Sequence, residues 1–156
     1  MDYYFEYDTL VAGIRIIEDG KAVTSIKFTV NHPIPPTDAL KKETPLIQET
    51  YQQLCEYFAG KRTSFDVPLE TYGTDFQKRV WKTLCTIPYG ETRSYQQIAA
   101  IAGCPKGARA VGMANNRNPI SIIIPCHRVI GADGSLTGYA AGLPVKQKLL
   151  HLESTL

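Results

Sequence analysis

Over the first thirty residues of the chain, aromatic and β-branched side chains gather in short runs: Tyr3 to Tyr7, Leu10 to Ile17, and Val23 to Val30 alternating around Ile26 and Phe28. Runs of this length and composition predict strands, and Asp19-Gly20 predicts the hairpin turn between the second and third. Pro33, Pro35 and Pro36 then force a loop. The spacing changes at Thr44, an N-cap residue followed by Pro45 in the first turn. Beyond it Ile47, Tyr51, Leu54 and Phe58 form one face of a helix that Gly60 ends. Residues 61–73, with Pro68 inside, read as an irregular connection.

From Thr74 onward the helical rhythm dominates. Thr74 and Gln77 make a capping box ahead of Phe76, Val80, Trp81 and Leu84, and Pro88-Tyr89-Gly90 makes a turn. Ser94 and Gln97 repeat the box for a short helix with Ile98 and Ile101 inward. Gly103 to Gly107 breaks that helix and Ala108 to about Asn116 forms the next, the order of a helix-turn-helix. Pro144 to Leu152 forms a last amphipathic helix with Val145, Leu149 and Leu152 inward, followed by Glu153. The expected fold is α/β (α+β). An N-terminal β-sheet lobe with one helix, residues 1–72, serves as scaffold, and a mainly helical lobe with the helix-turn-helix, residues 73–156, carries the chemistry.

That chemistry centres on the run Ile122 to Ile130, where a thiol and an imidazole stand side by side as Cys126-His127. The β-branched residues predict a strand, and Pro125, which cannot donate to a sheet ladder, should end it and present Cys126 at its edge. A thiolate is the attacking species, and a free thiol with a pKa near ~8.5 is mostly protonated at neutral pH, so a base is needed. Consecutive residues of an extended segment point to opposite sides, so contact between Cys126 and His127 requires a turn or a bridging water.

Composition excludes several classes. With 44% hydrophobic and 21% charged residues the chain has an ordinary globular balance, and no apolar run approaches the ~20 residues of a membrane-spanning helix. Met1-Asp2-Tyr3-Tyr4-Phe5-Glu6 lacks the basic start and apolar core of a signal peptide, so the expected location is cytoplasmic. Cys55, Cys85, Cys104 and Cys126 do not combine with His32, His127 and His151 in metal-ligand spacing, and no metal site is expected. Net charge divides unevenly: −4 over residues 1–73, +6 over 74–128 and 0 over 129–156. A basic centre beside an acidic segment suits a polyanion-binding face. Within it Ala108, Ala110, Gly112 and Ala114 would let a backbone approach closely, and Arg109 is a single long cation able to enter a base stack.

From Gly73 to Glu153 the chain resembles the O6-alkylguanine-DNA alkyltransferases, also called methylated-DNA-protein-cysteine methyltransferases. The resemblance is carried by Pro125-Cys126-His127-Arg128-Val129-Ile130, Ser94-Tyr95-Gln96-Gln97, Ala108-Arg109-Ala110-Val111-Gly112, Asn118-Pro119 and Gly138-Tyr139-Ala140-Ala141-Gly142-Leu143. It implies a DNA repair protein, acting as a monomer without a cofactor, that binds double-stranded DNA and flips an O6-alkylguanine into a pocket. Cys126 then takes the alkyl group irreversibly, once per protein molecule. The resemblance further implies that His127 removes the thiol proton through a water, that Glu153 orients His127, and that Asn118 ties the thiol-bearing segment to the DNA-facing one. Tyr95 would help rotate the nucleotide and donate to the ring nitrogen that becomes negative, with Val129, Tyr139 and the Ala140 backbone walling the pocket. Arg109 would fill the vacated space, on a helix whose Ala108, Ala110, Gly112 and Met113 face DNA. Two positions depart from some relatives: Ala140 stands where they have Ser, leaving only a backbone N–H, and Met113 replaces a Gly, making the helix bulkier. A turning-over cysteine hydrolase and a DNA-binding regulator are the rival readings of the same residues.

Overall fold

The computed structural model describes residues 1–154. Strands β1 (Tyr3–Tyr7), β2 (Ile14–Glu18) and β3 (Val23–Phe28) form an antiparallel meander, and β4 (Leu40–Lys41) adds to it in parallel, giving the order β3-β2-β1-β4. The predicted second strand starts late: Leu10 lies outside it and is 82% exposed. Asp19 closes the β2–β3 turn, its carboxylate accepting the Lys21 and Ala22 amides while Gly20 takes a φ of 95°. Helix α1 (Pro45–Phe58) begins where predicted, with Thr44 accepting the Ile47 amide at 3.2 Å, and packs on β2 and β1. Its buried face includes Tyr57 beside Ile47, Leu54 and Phe58, whereas Tyr51 stacks on Tyr7 at 3.7 Å nearer the surface.

The second half is α2 (Asp75–Leu84), β5 (Arg93–Ser94), α3 (Tyr95–Ile101), α4 (Ala108–Asn116), β6 (Val129–Ile130) and α5 (Leu143–Ser154). Both capping boxes form: Thr74 with Gln77 opens α2, and Ser94 with Gln97 opens α3. Helices α3 and α4 follow each other through residues 102–107 and pack together and on α2. Ile101 does not turn inward. It ends α3 and is 59% exposed, while Ile98, Ala99 and Ala102 supply the buried face. No helix among the described residues is long and apolar enough to cross a membrane.

The largest correction concerns residues 119–128. No strand runs into Pro125; only Val129–Ile130 is extended, pairing in parallel with Arg93–Ser94. Ile122 sits at φ 73°, a region that a β-branched residue occupies only at a cost of about 1–3 kcal/mol. Two groups hold this backbone. The Asn118 amide donates to Ile124 O at 2.7 Å while its Oδ1 accepts the Ile120 amide at 3.0 Å, and β3 pairs with the loop as Ile26 N donates to Pro119 O and Ser121 N to Ile26 O, both at 2.9 Å. Ile120, Ile122 and Ile124 are buried as core residues of a folded loop, with Ile123 half-buried beside them, a burial that an apolar run does not distinguish from that of a strand.

Residues 61–73 are irregular, as expected, but not free. Val23 N donates to Pro68 O at 2.8 Å and Glu70 N to Val23 O at 3.0 Å, docking the connection on the β3 edge. One continuous apolar core then runs from Ile16, Ile26 and Leu54 through Trp81, Ile98 and Ile120 to Leu149.

Candidate active site

Residues Cys126–Arg128 form a single 3₁₀ turn closed by Arg128 N donating to Pro125 O at 3.0 Å. The turn supplies the change of direction that an extended segment lacks, and buries Cys126, His127 and Arg128 together. The strand-edge expectation for Cys126 is therefore corrected: the residue is 4% exposed and borders a small cavity whose rim includes the exposed Asn31, His32 and Asn116.

His127 is fully buried and its Nε2 lies 2.6 Å from Glu153 Oε2, so the last turn of α5 reaches the imidazole. Glu153 accepts from every side. Arg128 Nε donates to Oε1 at 2.8 Å and its Nη2 to Oε2 at 3.1 Å, the Tyr57 hydroxyl donates to Oε2 at 2.5 Å, and Gly90 N donates to Oε1 at 3.2 Å. Burial works to raise the Glu153 pKa, but the hydrogen bond and charge of His127, followed by the bonds from Arg128 and Tyr57, outweigh it and bring the group down to about 2. An ionised Glu153 assigns the Nε2 proton to His127. Burial lowers the His127 pKa against the pull of Glu153, so the resting imidazole is neutral, with its lone pair on Nδ1. That Nδ1 is buried and meets no protein donor or acceptor.

The thiol is not ionised at rest. Burial pushes the Cys126 pKa up, opposed by the polar side chains of Asn118 and Tyr139 beside it and by the charges of Lys27 and Lys146. The Tyr139 hydroxyl lies within electrostatic reach of the sulfur and Ser121 without the alignment of a full hydrogen bond, and its own pKa is raised by burial. Lys146 is held elsewhere, its Nζ donating to Val129 O at 2.5 Å and Thr137 O at 2.9 Å. Asn115, 1% exposed, donates from Nδ2 to Cys126 O at 3.3 Å and leaves its Oδ1 unpaired. The cavity at the thiol, bounded by Lys27, Asn115, Asn118, Tyr139, Ala140 and other residues, holds about 20 Å³ of water-sized space, room for about one solvent molecule.

The sequence-predicted residues fall into three places. Cys126, Asn118, Tyr139 and Ala140 line the cavity at the thiol, whereas His127, next to Cys126 in the turn, and its partner Glu153 are not part of that lining. Val129 does not face the cavity: its side chain is in the core and its carbonyl serves Lys146. Tyr95 stands outside, its hydroxyl donating to Thr137 O at 3.0 Å and its ring against Gly112. Arg109, Ala110 and Met113 are exposed on α4, with Ala108 and Gly112 half-buried beside them, and Ala110 and Met113 border a surface depression with Phe76 and Arg117.

Several participants were missed. Arg128 stands in the quoted motif, and its burial against Glu153, Ile87 O and the Tyr89 ring is what makes it a partner of the carboxylate. Tyr57 and Lys27 come from the half of the chain expected to be scaffold, and a tyrosine on an apolar helix face carries no mark of a carboxylate partner beyond its hydroxyl.

Two family models match the chain: the DNA-binding domain of 6-O-methylguanine DNA methyltransferase over residues 75–155, and its ribonuclease-like domain over residues 3–71. A methylated-DNA-protein-cysteine methyltransferase of Methanosarcina acetivorans is 48% identical over 154 residues, which cover 98% of this chain and 99% of the relative. That of Methanosarcina barkeri is 65% identical over 106 residues, covering 68% of this chain and 67% of the relative. The fold superposes on a crystal structure of Mycobacterium tuberculosis OGT in complex with DNA with a TM-score of 0.91 and 47% identity, covering 98% of this chain and 93% of that one. With a buried cysteine beside a histidine–glutamate pair and both halves matched, the chain belongs to the methylated-DNA-protein-cysteine methyltransferase family, whose models carry the name 6-O-methylguanine DNA methyltransferase.

Proposed function

We infer that this protein repairs DNA by taking the alkyl group of an O6-alkylguanine onto its own Cys126, once per molecule. The observation that carries the reading is the buried Cys126-His127-Glu153 arrangement in a chain of this family, with the imidazole Nδ1 free to act as base. In the reaction the sulfur forms a bond to the alkyl carbon as that carbon's bond to guanine O6 breaks. The electron pair stays with the guanine, which takes up a proton from solvent. The thiol proton passes to His127 Nδ1 through a water, and Glu153 stabilises the imidazolium that results, whose proton returns to solvent in exchange. Coupling proton loss to attack removes the need for a resting thiolate. The product is a thioether, and no group in the site returns the thiol.

DNA enters this reading through α4. Arg109 is exposed there, on a helix of small residues, in the basic part of the chain, and serves as the finger that takes the place of the extruded nucleotide. Asn118, at the end of that helix, links it to the thiol loop. A purine needs far more room than the resting cavity offers, so Tyr139, Ala140 and Ala141 draw back as a unit, between Gly138 at φ 57° and Gly142 at φ 96°. Their movement frees Tyr95 from Thr137 to donate to the purine. Every group of the site comes from one chain, which suits a monomer, and four free cysteines suit the reducing cytoplasm.

With excess duplex carrying O6-methylguanine, transfer is expected to stop near one methyl per protein. Intact-mass and peptide analysis place that methyl on Cys126, and Cys126→Ser gains none. Continued turnover would support the hydrolase instead. A wild-type protein that binds the duplex but gains no mass would be a regulator.

A further inference from the structure

Strand β3 is the edge of the four-stranded sheet, and its outer side is occupied by the active-site loop. Ile26 bonds to Pro119 and Ser121 on either side of Ile120. The next residue, Lys27, is half-buried, and its Nζ donates to Asn118 O at 2.7 Å. It borders the same cavity as Cys126. Its cross-strand neighbour Arg15 is paired with Glu6 at 2.6 Å, whereas Lys27 has no ion pair among the described residues. An ammonium drawn out of water with only a carbonyl for a partner is costly to keep, and the sulfur is the group nearby that can develop the opposite charge.

Resting on the alkyl-transfer reading, we propose that Lys27 is a positioning residue for that reaction: held over the Asn118 carbonyl by β3, its ammonium stabilises the Cys126 sulfur as negative charge grows on it. Burial lowers the Lys27 pKa and the nearby thiol opposes the shift, so the two groups act on each other. The other titratable or charged groups around them are distinct in role. Lys146 on α5 is committed to two carbonyls, Tyr139 is a neutral phenol, and His127 is neutral and bound to Glu153. Arg15 on β2 is paired, and His32, beyond β3, has its pKa lowered by burial and then by the charges of Lys27 and Arg15. The sheet lobe thereby adds a second ammonium to that of Lys146 in the surroundings of the thiol.

The test uses the full chain and free O6-benzylguanine, which needs no DNA binding. Transfer rate is followed against pH, and Cys126 is titrated by thiolate absorbance as the difference from Cys126→Ser. Lys27→Met is expected to slow transfer about tenfold at neutral pH and to move the thiol titration upward by about one unit, the reach of a single nearby charge. Lys27→Arg should stay close to wild type. Lys27→Gln, which keeps a donor for Asn118 O without the charge, should behave as Lys27→Met. An unshifted titration in Lys27→Met, or wild-type behaviour in Lys27→Gln, overturns the proposal and leaves Lys27 a structural tether. If the wild-type protein gains no benzyl group, the same variants are compared on duplex O6-methylguanine; gain of no methyl there overturns the alkyl-transfer reading itself, and the Lys27 role with it.

Discussion

Glu153 shows how one side chain sets the state of the site. Its carboxylate faces two cationic nitrogens of Arg128, a phenol, an imidazole and an amide, all with little solvent. Such an arrangement resists the loss of a member more than it rewards its presence, since removing one partner of a buried pair costs about 3–5 kcal/mol. Glu153→Gln leaves Arg128 buried without its counter-charge. Denaturant unfolding should register a loss of that size, and alkyl transfer should slow because the His127 imidazolium loses its anion. An unchanged midpoint would mean that Arg128 finds water instead. The pH dependence follows from the direction of the shifts. A carboxyl at about 2 when folded and near 4.5 when unfolded stabilises the native state fully above the unfolded value, and that share fades as pH falls from about 4.5 towards 2. The lowered His127 pKa acts in the same direction below its ordinary value of 6.5, because the unfolded chain takes up that proton more readily than the folded one. The raised Cys126 pKa opposes from the other side: stability is complete below 9.0 and declines above it as the unfolded thiol ionises. Unfolding midpoints measured in Glu153→Gln should fall less steeply between pH 4.5 and 2 than in the wild type.

At the level of elements, the DNA contacts proposed for α4 and the chemistry proposed for the loop after it fall on separate segments. Arg109 projects from α4, outside the cavity, while Asn118, just past its end, holds the loop that carries Cys126. Arg109→Ala should therefore impair repair of O6-methylguanine in duplex at least tenfold, about the cost of losing stabilisation for one unstacked step. Attack on free O6-benzylguanine should be nearly unchanged. Equal losses in the two assays would place Arg109 in the chemistry rather than in extrusion. The same contrast explains what was legible in advance. Helices α1, α2 and α3 start where Thr44, Thr74 and Ser94 predict, because a cap is a local hydrogen bond between residues three apart. Cys126 and His127 stood out for a similar reason, being adjacent in sequence, whereas Asn118 was pointed to only by the family resemblance. The path of residues 119–128 was not, since its shape is imposed by Ile26 from another strand and by the Asn118 side chain, and apolar composition alone suits a strand equally well. The meeting of His127 with Glu153 was reached only through the family resemblance and that of Glu153 with Tyr57 not at all, since these contacts span 26 and 96 residues and no local pattern encodes them.

For the whole molecule, the two lobes share core, backbone bonds and site, so they should not unfold separately. Apolar packing is continuous from Leu54 in α1 to Leu149 in α5, β3 pairs with the loop at 119–121, and Tyr57 closes on Glu153. The single tryptophan gives a direct test, because Trp81 belongs to the helical lobe, buried in α2 with its Nε1 donating to Ala114 O at 2.9 Å. Its fluorescence reports that lobe, while far-ultraviolet circular dichroism averages over both. If the lobes form one cooperative unit, the two probes give one midpoint. The fully buried Leu54 in the sheet lobe then provides the perturbation: Leu54→Ala removes core volume at a cost of about 2–5 kcal/mol. Because the unit is shared, the Trp81 midpoint should fall together with the dichroism midpoint, and the rate of alkyl transfer should fall near the transition as Tyr57 and Lys27 lose their places. A Trp81 transition that stays fixed while dichroism shifts would show that the helical lobe stands by itself. In that case the groups from α1 and β3 would tune the thiol without being needed to hold it.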